Sequence, residues 1–234
     1  MDHRVFDAQV PALASRYRVV RWDVPGHGLS RPMPAPFTIQ QIAGDLLAVL
    51  DSLDIECAVL VGHSMGGLVA QEIEFQHPER VRAVAMISST CLTFRQPRAV
   101  RLAPLPCTAL RLWPDRWTRK QIGWIAGARA NTRTYASGAA SRMSKEDRLA
   151  IWQGILRSFH EESGYRIRCS LLLMEGRWDW IVAVRLIRLL ARRWADRDHP
   201  WRHAVVPGAG HNAQQDNPEF VNRELRAFLA HVAP

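Results

Sequence analysis

The sequence predicts an α/β fold, a mostly parallel sheet wrapped by helices and interrupted by one helical insertion. Three observations carry that prediction. Short apolar runs alternate with segments whose apolar residues recur at the helical period. The runs are apolar throughout rather than at every second residue, as strands covered on both faces are. The alternation breaks once, between Thr90 and Cys169, where prolines, arginines and tryptophans gather without a clear strand.

Taken in order, Tyr17–Trp22 reads as a strand running into the turn Asp23-Val24-Pro25-Gly26-His27-Gly28. Phe37–Leu53 places Ile39, Ile42, Leu46, Leu47, Val49, Leu50 and Leu53 at helical spacing. Ala58–Val61 is a strand, and Gly66–Phe75 a helix that His77-Pro78 stops. Val84–Ile87 and Leu171–Met174 are strands, Ala183–Trp194 a helix, His203–Val206 a strand and Pro218–Val232 a final helix. Within the insertion, helical patterning returns at Lys145–Phe159. A gap of this length is too long for a structureless loop in a compact domain. The expected organisation is therefore a core of residues 1–90 and 166–234 with an inserted segment, 91–165.

Composition narrows the function classes. The chain has 234 residues, 47% apolar and 23% charged, which excludes a disordered chain and fits one domain with a sizeable core. No apolar run approaches the roughly 18 residues of a membrane span, and the N-terminus lacks the layout of a secretory signal. The expectation is a cytoplasmic protein without stable membrane anchoring. The net charge is +9, from 31 basic and 22 acidic side chains, and Lys120 and Lys145 are the only lysines. The arginines are spread along the chain, which argues against nucleic acid as a partner. Two richer patches stand out: Arg95, Arg98, Arg101, Arg111, Arg116, Arg119 and Lys120 in the insertion, and Arg185, Arg188, Arg192, Arg193 and Arg197 on the outer face of the Ala183–Trp194 helix. Cys57, Cys91, Cys107 and Cys169 show no CxxC spacing and read as buried, reduced thiols. Nothing has the spacing of a metal site, a phosphate-cradling loop or a dinucleotide loop, so no metal and no cofactor is expected.

The chemistry lies in Gly62-His63-Ser64-Met65-Gly66, which follows a strand at once and opens a helix. That is a G-x-S-x-G motif in the strand–turn–helix setting that exposes a serine at the tip of a sheet. Glycines flank the serine because the backbone must turn sharply there. The helix N-terminus and the Met65 N–H could stabilise a developing oxyanion. A serine nucleophile needs a base, and the base an orienting acid. Asp179 follows the strand Leu171–Met174, and His211 follows His203–Val206 through Pro207-Gly208-Ala209-Gly210. Both stand where the carboxyl edge of a parallel sheet carries functional groups. His27 and His63 precede the serine, His77 lies at a helix end, and His160, His199, His203 and His231 lack the strand-to-glycine-loop setting. Glu175 remains an alternative acid at the strand end.

With these pieces in place, the sequence resembles the α/β-hydrolase fold superfamily, in its lid-bearing esterase- and lipase-like branch. The matching pieces are Asp23 to Ser30, Gly62 to Gly67, His77-Pro78-Glu79-Arg80-Val81, Gly176 with Asp179, and Gly208-Ala209-Gly210-His211 with Asn217-Pro218-Glu219-Phe220. The resemblance implies Ser64 as nucleophile, His211 as base, Asp179 as orienting acid and Met65 as an oxyanion donor. It makes the insertion, from about Cys91 to Tyr165, a lid over the substrate. The tryptophans of that segment are expected mainly in the lid's own core. A serine at the nucleophile position argues against the haloalkane dehalogenase and epoxide hydrolase branches, which use an acid there.

One departure matters. The family carries a strand ending in His-Gly before the helix that here begins near Val5, and that strand's loop gives a second oxyanion N–H. This sequence starts just past that point. The favoured expectation is a longer native chain, the alternative being a genuine short form with a remodelled sheet edge; weak or no hydrolysis of activated esters by the residues present is expected, since one lost donor costs about 10²–10³ in rate. The flanking strands, Tyr17–Trp22 and Ala58–Val61, are expected to close up unless another chain fills the gap. The expected activity is hydrolysis of small carboxylic esters or lactones, with the basic lid hinting at an anionic substrate. C–C bond hydrolysis of ring-cleavage products and a non-catalytic binding role are the alternatives, and a homo-oligomer is left open.

Overall fold

The computed structural model describes residues 1–33, 36–94, 113–162, 164–179 and 193–233. Among them the sheet has four parallel strands, ordered β1 (Ala58–His63), β2 (Val81–Ile87), β3 (Ser170–Gly176) and β4 (Arg202–Val206). The longer helices are α1 (Ile39–Ser52), α2 (Met65–Gln76), α3 (Asp115–Ala126), α4 (Ala130–Ser141), α5 (Lys145–Ser158) and α6 (Pro218–Val232). Short-range signals set their starts. The Thr38 hydroxyl accepts the Gln41 N–H before α1, and Ser144 accepts that of Asp147 before α5. Asn217 accepts that of Phe220 before α6, whose first residue is Pro218.

Strand alternation divides the core in two. Val84, Met86, Leu171 and Leu173 face Ile39, Ile42, Leu68, Val69, Ile73 and Trp194. Ala83, Ala85, Ile87, Leu172 and Met174 face Leu13, Val221, Leu225 and Phe228. Both faces are buried, which is why these strands are apolar at successive positions. Phe228 is wholly buried in the second core. Phe228→Ala is expected to cost about 3–5 kcal/mol of stability, read as a lowered urea midpoint with an unchanged slope.

Registry aligns the carboxyl ends. His63 lies opposite Ile87, Ile87 opposite Met174, and Gly176 opposite Val206. The loops after β1, β3 and β4 therefore leave from one edge of the sheet.

Several expectations are corrected here. Tyr17–Trp22 is not a strand, and the flanking segments do not close up: among the described residues it has no ladder to β1. A strand needs a neighbour to take its backbone groups, and Val19 and Val20 are instead 37% and 40% exposed. In place of one helix beginning near Val5, a 3₁₀ turn at His3–Phe6 precedes a helical turn at Val10–Leu13. Arg197 is not on a solvated face. It ion-pairs with Asp198, donates to Thr93 Oγ1 at 2.9 Å, and stacks over Phe94. Arg193 is exposed, while Arg185, Arg188 and Arg192, with most of the Ala183–Trp194 helix, lie outside the described residues. Of the cysteines, Cys91 is buried, Cys57 and Cys169 are half-buried free thiols, and Cys107 lies outside the described residues.

Between β2 and β3 the structure places α3, α4 and α5, of which only α5 was legible as a helix. Trp113, Trp117, Trp124 and Trp152 are 48%, 56%, 58% and 45% exposed, so none of them forms the core of this segment. Of its basic patch, Arg116, Arg119 and Lys120 lie on α3, with Arg119 paired to Asp115, and the other members lie outside the described residues. The segment is tied to the N-terminal region through the buried Asp2 carboxylate. It accepts from Arg142 Nη2 at 2.8 Å, from Tyr135 Oη at 2.9 Å and from Arg4.

Candidate active site

Ser64 links β1 to α2 at φ 52°, ψ −116°, a backbone conformation that residues other than glycine rarely adopt. A serine before a helix ordinarily turns its hydroxyl back onto the first N–H groups as a cap. Ser64 makes no such side-chain cap, so its Oγ is not consumed by the helix it precedes. The bend is crowded: a Cβ on Gly62 would lie 2.4 Å from the Gly66 carbonyl oxygen, and one on Gly67 2.4 Å from Ser89 Oγ. Ser64 N–H donates to the Ile87 carbonyl at 2.9 Å, and Ser89 Oγ donates to the Ser64 carbonyl at 2.8 Å. These bonds hold the bend from the neighbouring strand end. Met65 begins α2, where backbone N–H groups have no intrahelical acceptor.

His211 and Asp179 are brought together, with Nδ1 2.9 Å from Asp179 Oδ2 and both residues buried. A carboxylate only accepts, so Nδ1 carries the proton and Nε2 of a neutral ring keeps its lone pair. The two loops are fastened to each other: Trp178 N–H donates to the Ala209 carbonyl at 2.8 Å and Arg177 N–H to that of Val206 at 3.0 Å. A Cβ on Gly176 would sit 2.0 Å from the Gly210 oxygen, so only glycine permits this approach. Glu175 faces His203, its Oε1 3.9 Å from Nε2, rather than His211.

His63 joins the serine's bend to the His211 loop. Its Nε2 lies 3.0 Å from the His211 carbonyl oxygen, and the two rings meet edge to face with centroids 4.9 Å apart. Because a carbonyl only accepts, His63 Nε2 is the donor there. Sequence order set it aside as a base but gave no hint of this bond, nor of the one from Ser89. His77, His160 and His231 lie elsewhere, beside Glu79, Glu162 and Trp201.

Burial lowers the His63 ring to about 3 and the buried His27 ring to about 4. Both stay neutral in the fold, whereas an unfolded histidine takes up a proton near 6.5. Stability is thus complete above 6.5 and declines as pH falls toward the folded values, by about 2 kcal/mol per residue at pH 5. A melting temperature that drops between pH 7.5 and pH 5, with a smaller drop in His63→Gln, is the expected result.

Among the described residues no group of three or more His, Cys, Asp or Glu side chains is placed to hold a metal, and no helix is long and apolar enough to cross a membrane.

An elbow serine and a His–Asp pair on the carboxyl edge of a parallel sheet fit the hydrolase class that the sequence suggested, and comparison with known proteins agrees. Residues 1–224 match the Alpha/beta hydrolase family, and the chain belongs to it. It is similar to a protein named carbamate hydrolase RutD from Azorhizobium caulinodans, 26% identical over 96% of this chain and 85% of that one. A part of it is similar to 3-oxoadipate enol-lactonase 1 of Acinetobacter baylyi, 40% identical over 38% of this chain and 33% of the relative. In fold it is similar to a thermophilic esterase from Thermogutta terrifontis, with TM-score 0.83 at 21% identity over 100% of this chain and 87% of that one. The enol-lactonase of Burkholderia xenovorans LB400 gives TM-score 0.81 at 22% identity over 98% and 87%. The protein is therefore an enzyme of the hydrolase class.

Proposed function

We propose that this hydrolase cleaves carboxylic esters or lactones of small molecules through an acyl-enzyme on Ser64. The observation that carries the reading is the buried His211–Asp179 pair, joined through the His63 ring to the uncapped, strained bend at Ser64. His211 Nε2 takes the Ser64 proton as Oγ attacks the carbonyl carbon, and Asp179 stabilises the imidazolium that forms. The Met65 N–H donates to the oxygen as it becomes negative. The tetrahedral centre collapses, His211 passes its proton to the leaving alkoxide, and the alcohol departs. Water, deprotonated by the same histidine, then attacks the acyl carbon; the bond from the acyl carbon to Ser64 Oγ breaks, His211 returns the proton to Oγ, and the acid is released. In a lactone the alcohol and acid leave as one hydroxy acid.

In this reading residues 91–165, which contain α3, α4 and α5, are a cap over the substrate. Its exposed Arg116 and Lys120 suit an anionic substrate. The names of the relatives, enol-lactonase and carbamate hydrolase, support a carbonyl flanked by oxygen or nitrogen. Rapid mixing with p-nitrophenyl acetate tests the reading. A burst of p-nitrophenol approaching one equivalent per chain, followed by slower turnover, is expected of an acyl-enzyme, and with Met65 as the one oxyanion donor in this mechanism both phases are expected to be slow. Turnover of a dienoic diketo acid with no burst from the ester would support C–C bond hydrolysis instead.

A further inference from the structure

We infer that Asp216 is a positioning residue that clamps the cap to the loop carrying His211, so that the two move as one unit. Asp216 is wholly buried and ends a helical turn, Ala213–Asp216, just after His211. Its carboxylate accepts three backbone N–H groups from two separate segments. Oδ2 takes Gly210 N–H at 2.8 Å, on the His211 loop, and Ala128 N–H at 2.7 Å, in the turn between α3 and α4. Oδ1 takes Arg129 N–H at 3.0 Å. A direct bond runs beside these, from Asn212 N–H to the Ala126 carbonyl at 2.6 Å.

The approach is tight at two glycines. A Cβ on Gly210 would lie 3.0 Å from Ala128 N, and one on Gly127 would lie 2.4 Å from a Thr132 methyl carbon and 3.2 Å from Asp216 Oδ1. On the cap side, Arg133 Nε holds the Gly127 carbonyl at 2.8 Å. Bonds from three amides to one buried charge are stronger than neutral pairs. Neither segment can shift without leaving amides, or the carboxylate itself, buried and unpaired. A substrate that displaces the α3–α4 turn thereby also displaces Gly210 and, through it, the ring of His211.

The assignment of His211 as the base is taken from the proposed function, but the clamp is tested independently of it by amide hydrogen exchange. In Asp216→Asn an NH₂ replaces one acceptor oxygen. Peptides covering 126–130 and 207–212 are both expected to exchange about tenfold faster or more, while the β2 peptide stays protected. Arg133→Ala changes an exposed side chain outside the proposed triad and frees only the cap side. It is expected to speed exchange in both peptides, and to lower kcat more than KM rises, a split that a general loss of stability does not give. Exchange that rises in 126–130 alone overturns the clamp, as does an unchanged kcat in Arg133→Ala when the wild type turns over ester. If exchange is coupled but the wild type hydrolyses nothing, the clamp stands and the esterase reading falls. Should Asp216→Asn fail to fold, Arg133→Ala decides.

Discussion

Ser64→Ala is expected to remove enzyme-dependent ester hydrolysis, lowering kcat by a factor on the order of 10³ or more, while the protein stays folded. The expectation follows from three features of the position. Ser64 Oγ makes no helix cap, so its removal deletes no hydrogen bond on which α2 depends. The bend is fixed by Ser64 N–H donating to the Ile87 carbonyl and by Ser89 Oγ donating to the Ser64 carbonyl, both of which an alanine keeps. The left-handed backbone at φ 52° is as strained for alanine as for serine, so the substitution leaves that cost unchanged. Loss of turnover with an unchanged melting temperature is therefore the signature. Turnover of p-nitrophenyl acetate by Ser64→Ala at the wild-type rate would remove the serine from the mechanism.

Asp179→Asn is expected to lower kcat by about 10³–10⁴, with KM little changed. The aspartate fixes the tautomer by accepting the Nδ1 proton at 2.9 Å. An asparagine can turn its NH₂ toward the same nitrogen and donate, which moves the ring proton to Nε2 and removes the lone pair that, in the proposed mechanism, takes the serine's proton. It also removes the charge that stabilises imidazolium in a buried setting. Steady-state kinetics on one ester separate this from a binding defect, which would raise KM. Glu175→Gln serves as the control. Glu175 faces His203 and not His211, so its kcat is expected near that of the wild type. A large loss there, with Asp179→Asn active, would exchange the two roles.

Much of this arrangement was legible in the sequence, for identifiable reasons. β2 and β3 could be read because both faces are buried and the residues are apolar throughout, from Ala83 to Ile87 and from Leu171 to Met174. The elbow could be read because the crowded bend admits only glycine at Gly62; Gly66, where a Cβ would meet nothing within 4 Å, is not required by it, and the second crowded position is Gly67. The Asp179 and His211 positions could be read because each follows a strand on a short loop. What escaped was what depends on a neighbour. Tyr17–Trp22 has strand composition, but composition supplies no pairing partner. α3 and α4 are sparsely apolar: Trp117 and Trp124 face solvent while small residues, Gly123, Ala126, Ala136, Ala139 and Ala140, are the ones buried. That inverts the usual relation of size to burial and hides the helical stripe. The bonds from His63, Ser89 and Arg197 and those to Asp216 join segments distant in the chain and leave no periodic trace.

The central claim, that Ser64 is an activated nucleophile, is tested most directly by a fluorophosphonate probe followed by peptide mapping. It reads the nucleophile and its base without requiring the natural substrate or a complete turnover. The expected result is a single phosphonyl adduct on the peptide containing Ser64, absent in Ser64→Ala and formed far more slowly in Asp179→Asn. An intact wild-type protein that forms no adduct at Ser64, or one labelled at another residue, would contradict the account and leave an α/β-hydrolase fold put to some other use, such as binding.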